Sequence, residues 1–84
     1  MSVYVYVLQS VSTGRLYVGQ TNHPIRRFHQ HQSGQSRATR NRGPWQMVSC
    51  EAFLTRSEAA ARERYLKSWK DPDRVLRIVG DGAS

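Results

Sequence analysis

The chain is short and strongly basic, with 84 residues and a formal net charge of +7. A chain of this length buries only about 60% of the surface that its unfolded form exposes, which indicates one domain and argues against a deep, enclosed substrate cavity. The single cysteine, Cys50, excludes an internal disulfide and a cysteine-built metal site, and we expect a small buried side chain in a reducing compartment. No apolar run approaches the roughly 20 residues that cross a bilayer, and no charged signal region precedes the first predicted strand, so we expect a cytoplasmic protein.

The positive charge is unevenly distributed along the chain. Every acidic residue lies at or after Glu51, so nothing negative offsets the arginines of the first fifty residues. Arginine outnumbers lysine eleven to two, which favours planar, bidentate contacts to phosphate. The distribution predicts a polyanionic partner.

The first elements of the chain read as a hairpin followed by a helix. Residues 2–9 are apolar on both faces, which is typical of a strand covered on both sides. Turn residues at 12–14 separate this strand from a second strand at 15–20. A helix is predicted to begin at Pro24 and to end near Ser33, where Gly34 stops it.

The second half begins with residues 33–44, which contain three arginines and no apolar side chain larger than Ala38; we expect a mobile basic loop. A third strand is predicted at 45–54. Thr55 and Glu58 form a capping box that opens a helix to about residue 70, and a short last helix runs from residue 71 through Ile78. The order β-β-α-β-α-α predicts an α+β fold: a small three-stranded antiparallel sheet flanked by helices, with one domain over residues 1–80 and a flexible tail at 81–84.

Arg27 and His31 of the first predicted helix are candidates for a functional pair. Helical spacing places Ile25 and Phe28 on a buried stripe, with Arg27 and His31 together on its flank, one turn apart. A solvated helix edge and a functional pair are both compatible with this position.

The second helix carries a glutamate on its apolar side. Glu63 is either the partner of Lys67 in an i,i+4 ion pair or a functional carboxylate. The expected core residues of this helix are Ala59, Tyr65, Leu66 and Trp69.

The tyrosines of the hairpin are ordinary by residue type, because aromatic side chains are favoured in strands. Their spacing, however, is specific. The tripeptides Tyr4-Val5-Tyr6 and Tyr17-Val18-Gly19, with eleven residues from Tyr6 to Tyr17 and ten from Tyr17 to Arg27, resemble the signature of the GIY-YIG nuclease family.

The segments RNRGPW and RSEAAARERYLK resemble the compact single-domain members of that family, so the likeness covers nearly the whole chain. The sequence departs from the signature at Tyr4, Val5 and Val18, which change strand packing and not the hydroxyls. No asparagine follows Glu63, so an accessory role that some members give to asparagine is assigned to no residue.

The resemblance implies a metal-dependent endonuclease that hydrolyses DNA phosphodiester bonds with low sequence specificity. Tyr17 would be the general base and Tyr6 would orient the water, with the pKa of the base lowered by Arg27 and by the metal. His31 would accept or relay the proton. Glu63 would hold Mg²⁺, with Mn²⁺ as a substitute.

A basic surface would bind the flanking phosphates and make binding salt-dependent. Nothing in the sequence resembles a groove-reading helix or a base-stacking platform, which is why low sequence specificity is expected. RNA is an alternative substrate. A protein partner could supply specificity. The alternative function is a non-catalytic nucleic-acid-binding module on the same fold. The residues expected to bind nucleic acid are Arg15, Arg26, Arg37, Arg40, Arg42 and Lys67.

Overall fold

The computed structural model describes residues 2–82, with the backbone alone at 81 and 82. It confirms the predicted α+β order. The elements are β1 (Val3–Ser10), β2 (Leu16–Thr21), α1 (Pro24–Gln32), β3 (Trp45–Phe53), α2 (Arg56–Lys67) and α3 (Pro72–Gly82).

Two helix ends differ from the prediction. α2 ends at Lys67, before the expected residue 70, and α3 continues past Ile78 and Gly80 to Gly82. A glycine costs an exposed helix only about 1 kcal/mol, too little to end α3. The first two residues of the predicted tail are therefore helical, and residues 83 and 84 lie outside the described part of the chain.

The sheet is antiparallel in the order β2-β1-β3, with β1 in the centre. This position explains why four consecutive residues of β1, from Val5 to Leu8, are all buried. A register shift in the pairing with β3 falls between Val7 and Leu8. Successive side chains of β1 point to opposite faces, so each face carries its own core.

One face packs against α2 and α3 through Val5, Val7, Val18 and the buried helix residues Ala59, Leu66, Val75 and Val79. The other face carries Tyr6, Leu8 and Trp45, with Phe28 of α1 packed against them. The sheet therefore separates α1 from α2 and α3, which places the two candidate helices of the site on opposite faces.

Four predictions of burial are wrong. Trp69 and Tyr65 are 37% and 46% exposed, because α2 contacts the sheet through Ala59 and Leu66 and ends before Trp69. Ile25 is 67% exposed, since the buried side of α1 is centred on Phe28 and His31. Cys50 is exposed on β3, an edge strand.

The basic loop at residues 33–44 is docked onto the domain at several points. Thr39 is 1% exposed and Ser36 is 8% exposed. The indole Nε1 of Trp45 donates a hydrogen bond to the backbone oxygen of Thr39 at 3.2 Å, and the Ser10 hydroxyl donates to the backbone oxygen of Arg42 at 2.6 Å. The second half of the loop is thus held to the sheet by polar contacts at two points.

The predicted capping box at the start of α2 is confirmed, with one difference. The backbone N–H of Glu58 donates to the Thr55 hydroxyl oxygen at 3.2 Å, and that hydroxyl donates in turn to the Glu58 carboxylate at 3.0 Å. The carboxylate therefore reaches the side chain of Thr55 and not its backbone N–H. Between residues 2 and 82, no helix has the length and apolar character needed to cross a membrane.

Candidate active site

The register of the hairpin brings two tyrosines together on one face of the sheet. Tyr6 pairs with Gly19, and Leu8 pairs with Tyr17. Tyr6 and Tyr17 are therefore diagonal neighbours on the face that α1 covers, at a distance that aromatic side chains span. Their ring centroids are 6.2 Å apart. The fixed interval between the two residues in the sequence is thus a consequence of the strand register.

Gly19 provides the space that Tyr6 occupies. A β-carbon at this position would lie 2.6 Å from the Tyr6 hydroxyl oxygen and 2.8 Å from Cζ of the ring. Gly19 does not have a positive φ, unlike Gly14 and Gly34. The glycine of the second tripeptide is therefore required for the close approach of a side chain and not for an unusual backbone conformation.

His31 is the centre of the polar cluster. Its Nε2 lies 2.9 Å from the Tyr6 hydroxyl oxygen, and its Nδ1 lies 2.7 Å from the Thr39 hydroxyl oxygen. The imidazole is 1% exposed, and its ring centroid is 4.8 Å from that of Tyr17. The interpretation of His31 as a solvated helix edge is wrong, because α1 turns this side chain into the sheet.

Burial and the nearby positive charge of Arg27 lower the pKa of His31 from its ordinary 6.5 to about 4. The ring is therefore neutral at pH 7, with one nitrogen that donates and one that accepts. The two hydroxyls of Tyr6 and Thr39 match this pattern in either tautomer, since one of them donates to the ring and the other accepts from it.

Arg27 approaches the tyrosines from α1. Its guanidinium is held by Gln30, to which Nη1 donates a hydrogen bond at 2.9 Å. Hydrogen bonding to the Tyr6 hydroxyl raises the pKa of Arg27. Conversely, burial raises the pKa of Tyr6 and outweighs the lowering effect of Arg27. Arg27 therefore does favour ionisation of Tyr6, but burial has the larger effect and keeps this hydroxyl protonated.

Thr39 is a residue that the sequence analysis missed. It lies in a loop whose composition predicts only mobility and charge, and no periodic pattern distinguishes it from its neighbours. Its burial arises because the loop folds back onto His31 and Trp45, with the Thr39 hydroxyl at Nδ1 of His31. The only sequence signal is that it is a small hydroxyl residue inside an arginine-rich segment.

Glu63 is not part of this cluster in the structure. It lies on α2, against the opposite face of the sheet, with a side chain that is 18% exposed. Its Oε1 accepts a hydrogen bond from Gln20 Nε2 at 3.0 Å, and its Oε2 is paired with Lys67 Nζ at 2.6 Å. The ion pair with Lys67 is confirmed. Gln20 connects Glu63 to β2, three residues beyond Tyr17.

The donor set around Glu63 limits the kind of cation that it could hold. Within residues 2–82, no three histidine, cysteine, aspartate or glutamate side chains come together as a metal-binding group. A single carboxylate suits Mg²⁺, which keeps several of its waters when it binds to protein. Lys67 would have to leave Oε2 before a cation could bind there. The residues fit a hydrated divalent ion and do not fit zinc.

The expected phosphate-binding residues lie in two areas. Arg26 on α1 and the loop arginines, Arg37, Arg40 and Arg42, are exposed on the helix that carries His31 and the loop that carries Thr39. Arg15 and Lys67 line a groove together with Tyr17, on the side of β2 that faces α2. Tyr17 thus belongs to the cluster around His31 and also lines this groove.

The fold and the cluster define a small α+β domain that holds two tyrosines, an arginine and a histidine on a hairpin and the helix that follows it. The family model of the GIY-YIG catalytic domain matches residues 2–75, and the chain belongs to this family. The resemblance that the sequence suggested is therefore confirmed.

Individual relatives agree with this assignment. The chain is 42% identical over 67 residues to the UPF0213 protein of Haloquadratum walsbyi, which covers 79% of this chain and 74% of that protein. It is 34% identical over 82 residues to structure-specific endonuclease subunit SLX1 of Homo sapiens, covering 93% of this chain but 29% of SLX1. The solution NMR structure of the UPF0213 protein BH0048 from Bacillus halodurans superimposes with a TM-score of 0.57 at 33% identity, over 93% of this chain and 83% of that one.

Proposed function

We propose that this protein is a divalent-metal-dependent endonuclease that hydrolyses phosphodiester bonds of DNA with low sequence specificity. The observation that carries the proposal is the cluster of Tyr6, Tyr17, Arg27 and His31, which three segments of the chain bring into contact. Membership of the GIY-YIG family and the likeness to a named endonuclease subunit support it.

Arg27 is the group that would bind the scissile phosphate. Its guanidinium is the single formal charge in the cluster at pH 7, since His31 is neutral. It can donate to non-bridging oxygens while Gln30 holds one end of the fork. A positioned donor of this kind is worth about 10²- to 10³-fold in rate, because it stabilises charge that develops on the phosphoryl oxygens.

Burial separates the roles of the two tyrosines. Tyr6 is 1% exposed and its hydroxyl bonds to His31, whereas Tyr17 is partly exposed and lines the neighbouring groove. We therefore assign the contact with the attacking water to Tyr17, as the general base. Tyr6 orients the site through His31, and its raised pKa keeps it protonated as a hydrogen-bond donor.

His31 serves as the internal support of the site. Its ring nitrogens are bonded to the hydroxyls of Tyr6 and Thr39 and not to that of Tyr17, so we assign any proton transfer between His31 and the tyrosines to Tyr6. Thr39 fixes the orientation of the ring from the far side. This arrangement holds Tyr6 rigidly beside Arg27.

Glu63 would hold a divalent cation, for which Mg²⁺ is our first choice and Mn²⁺ a substitute. When bound, such an ion stabilises negative charge on the departing oxygen. The protein positions the Glu63 carboxylate for this ion. Gln20 holds one carboxylate oxygen, and Lys67 is bonded to the other until Lys67 is displaced.

The test is cleavage of supercoiled plasmid, branched DNA, single-stranded DNA and RNA by purified protein with Mg²⁺, Mn²⁺ or EDTA. We expect nicking or cutting of DNA with either metal and none with EDTA. Glu63→Gln should abolish cutting while DNA binding persists. Glu58→Gln is the matched control, because it alters a carboxylate at the start of the same helix and keeps a good capping residue. Equal cutting by Glu63→Gln and the parent would contradict the metal assignment.

A second candidate function is a non-catalytic nucleic-acid-binding module. The pair between Glu63 and Lys67 favours it, because the carboxylate is already neutralised by a side chain of the same helix. The same panel decides between the two: binding to every DNA substrate with no cutting under any metal supports the module. If cutting appears only after cell extract is added, and Glu63→Gln with the same extract does not cut, a protein partner is required for activity.

A further inference from the structure

A groove runs between the edge strand β2 and the corner where α2 is followed by α3. Its volume is about 440 Å³, within the range of sites that hold small molecules. Its polar lining is cationic, from Arg15, Lys67 and Lys70, and none of the acidic side chains between residues 2 and 80 lines it. Tyr17 and Trp69 form its aromatic walls. We refer to it as the Trp69 groove.

The indole of Trp69 is exposed and yet held in place. Its exposed fraction is 37%, and the guanidinium of Arg74 lies 4.7 Å from its ring centroid. The ring of Tyr65 meets it edge-on with centroids 6.2 Å apart. These two contacts restrict the rotation of the side chain, so a flat partner would find the indole already ordered.

The composition of the groove indicates its ligand. A flat aromatic ring beside several cations is the combination that binds a nucleotide, because the base stacks on the ring and the phosphates meet the cations. An apolar peptide would offer no anionic group to Arg15 and Lys70, whereas Lys67 already has Glu63 as its partner. Tyr17, which borders the groove, also belongs to the cluster around His31, so a strand lying in the groove would continue into that cluster.

We propose that the Trp69 groove binds one unpaired nucleotide of the DNA strand, with its base against Trp69 and the adjoining phosphates on Lys70 and Arg15. A base inside a duplex is stacked on both faces and cannot offer one to the indole. The substrate therefore has a single-stranded segment next to the bond that is cut, a statement that rests on the proposed function. Helical spacing assigns Trp69 to the core, so the sequence alone predicts no base-stacking platform.

Lys67 connects the groove to Glu63. The same ammonium lines the groove and pairs with the Glu63 carboxylate at 2.6 Å. A phosphate in the groove attracts Lys67 away from Glu63. Entry of the strand would thus free the carboxylate, which couples occupancy of the groove to the site of the proposed cation.

The test uses the whole protein in EDTA, so that binding is measured without cutting. The probes are an oligothymidylate of eight nucleotides and an abasic oligomer of the same length and charge. Stacking of one base is worth about 1–3 kcal/mol, so the parent should bind the oligothymidylate about 5- to 150-fold more tightly. Trp69→Ala should lose most of this preference and Trp69→Phe should keep most of it. Leu54→Ala, which removes another exposed apolar side chain, is the control.

An NMR measurement on the parent covers the case in which Trp69→Ala fails to fold. The chain has two tryptophans, and the buried Trp45 serves as an internal reference. The indole N–H signal of Trp69 should shift on addition of oligothymidylate and not of the abasic oligomer, while that of Trp45 stays in place. No shift at Trp69, or equal shifts with both oligomers, would overturn the proposal.

The outcomes also separate the groove from the proposed function. If the Trp69 signal shows the base-dependent shift and the protein cuts no substrate, nucleotide binding in the Trp69 groove is supported and the endonuclease proposal is contradicted. If the protein cuts DNA but binds the oligothymidylate and the abasic oligomer equally well, the endonuclease proposal is supported and nucleotide binding in the Trp69 groove is contradicted.

Discussion

Replacing Gly19 by alanine tests whether the hairpin is built around the Tyr6 hydroxyl. The new β-carbon would lie 2.6 Å from that oxygen, whereas ordinary contacts begin at 3.4 Å. Tyr6 is a rigid ring that is 1% exposed and in contact with Tyr17 and His31, so it has no open space in which to move. The substitution must therefore displace either the ring or the strand.

The cost has two parts. Overpacking of a core typically costs about 1–3 kcal/mol, and loss of the buried hydrogen bond to His31 costs about 1–3 kcal/mol more. Alanine returns about 0.5–1 kcal/mol by restricting the unfolded chain. The free energy of unfolding should fall by about 1–5 kcal/mol, a large fraction of the stability of a small domain.

Urea unfolding followed by circular dichroism measures this change. Gly80→Ala is the matched control, since a β-carbon there meets nothing within 4 Å and the residue lies in α3. That variant should gain up to about 1 kcal/mol. If Gly19→Ala is as stable as the parent, the Tyr6 hydroxyl does not pack against Gly19, and the arrangement of Tyr6 and His31 described above is wrong.

Three further predictions concern charge. Because the folded-state pKa of His31 is about 4, below the ordinary 6.5, the unfolded state takes up the proton first, and stability is lost as the pH falls from 6.5 to 4. His31→Gln has no group that titrates here, so its free energy of unfolding lacks this loss. In urea titrations, the difference in the free energy of unfolding between the parent and His31→Gln should therefore become smaller by about 3 kcal/mol from pH 6.5 to pH 4. A difference that stays constant over this pH range would contradict the lowered pKa of His31. Lys67→Met should tighten binding of Mn²⁺ at Glu63 by up to about fivefold in calorimetry, since an exposed ion pair contributes about 0.2–1 kcal/mol; unchanged affinity means that Lys67 does not compete. Replacing the three loop arginines by glutamine should reduce the slope of log K against log salt by about 2 to 3 for DNA, and an unchanged slope would place them outside the interface.

The sequence predicts the fold well because the strongest local signals agree with one another. The apolar run of β1, the turn after it and the capping box at Thr55 each act over a few residues, and the structure has all three. The interval from Tyr6 to Tyr17 reflects strand register, which is also local. Such features depend little on the rest of the chain.

The errors come from long-range packing. Helical spacing places Trp69 with Leu66, but α2 ends before Trp69 and leaves the indole in a groove. The burial of Thr39 depends on the contact of its loop with His31 and Trp45, which no local sequence pattern predicts. The position of Glu63 on the opposite face of the sheet from His31 is likewise a property of how the helices pack and not of the residues around them.

The site is predicted less completely than the fold. The resemblance identifies Tyr6, Tyr17, Arg27 and His31, and the structure brings these four together. It does not bring Glu63 into contact with them, and the carboxylate has Gln20 and Lys67 as partners. The catalytic roles of all five residues are still predictions.

The most direct test of the account is the rate at which Arg27→Gln nicks supercoiled plasmid in Mg²⁺, with protein in excess so that all DNA is bound. Arg26→Gln is the control, because the two arginines are adjacent and Arg26 points to solvent. We predict that Arg27→Gln is slower than the parent by about 10²- to 10³-fold and that Arg26→Gln is within a few-fold of it. Equal nicking by Arg27→Gln and Arg26→Gln would show that the cluster around His31 is not where the phosphodiester bond is cut.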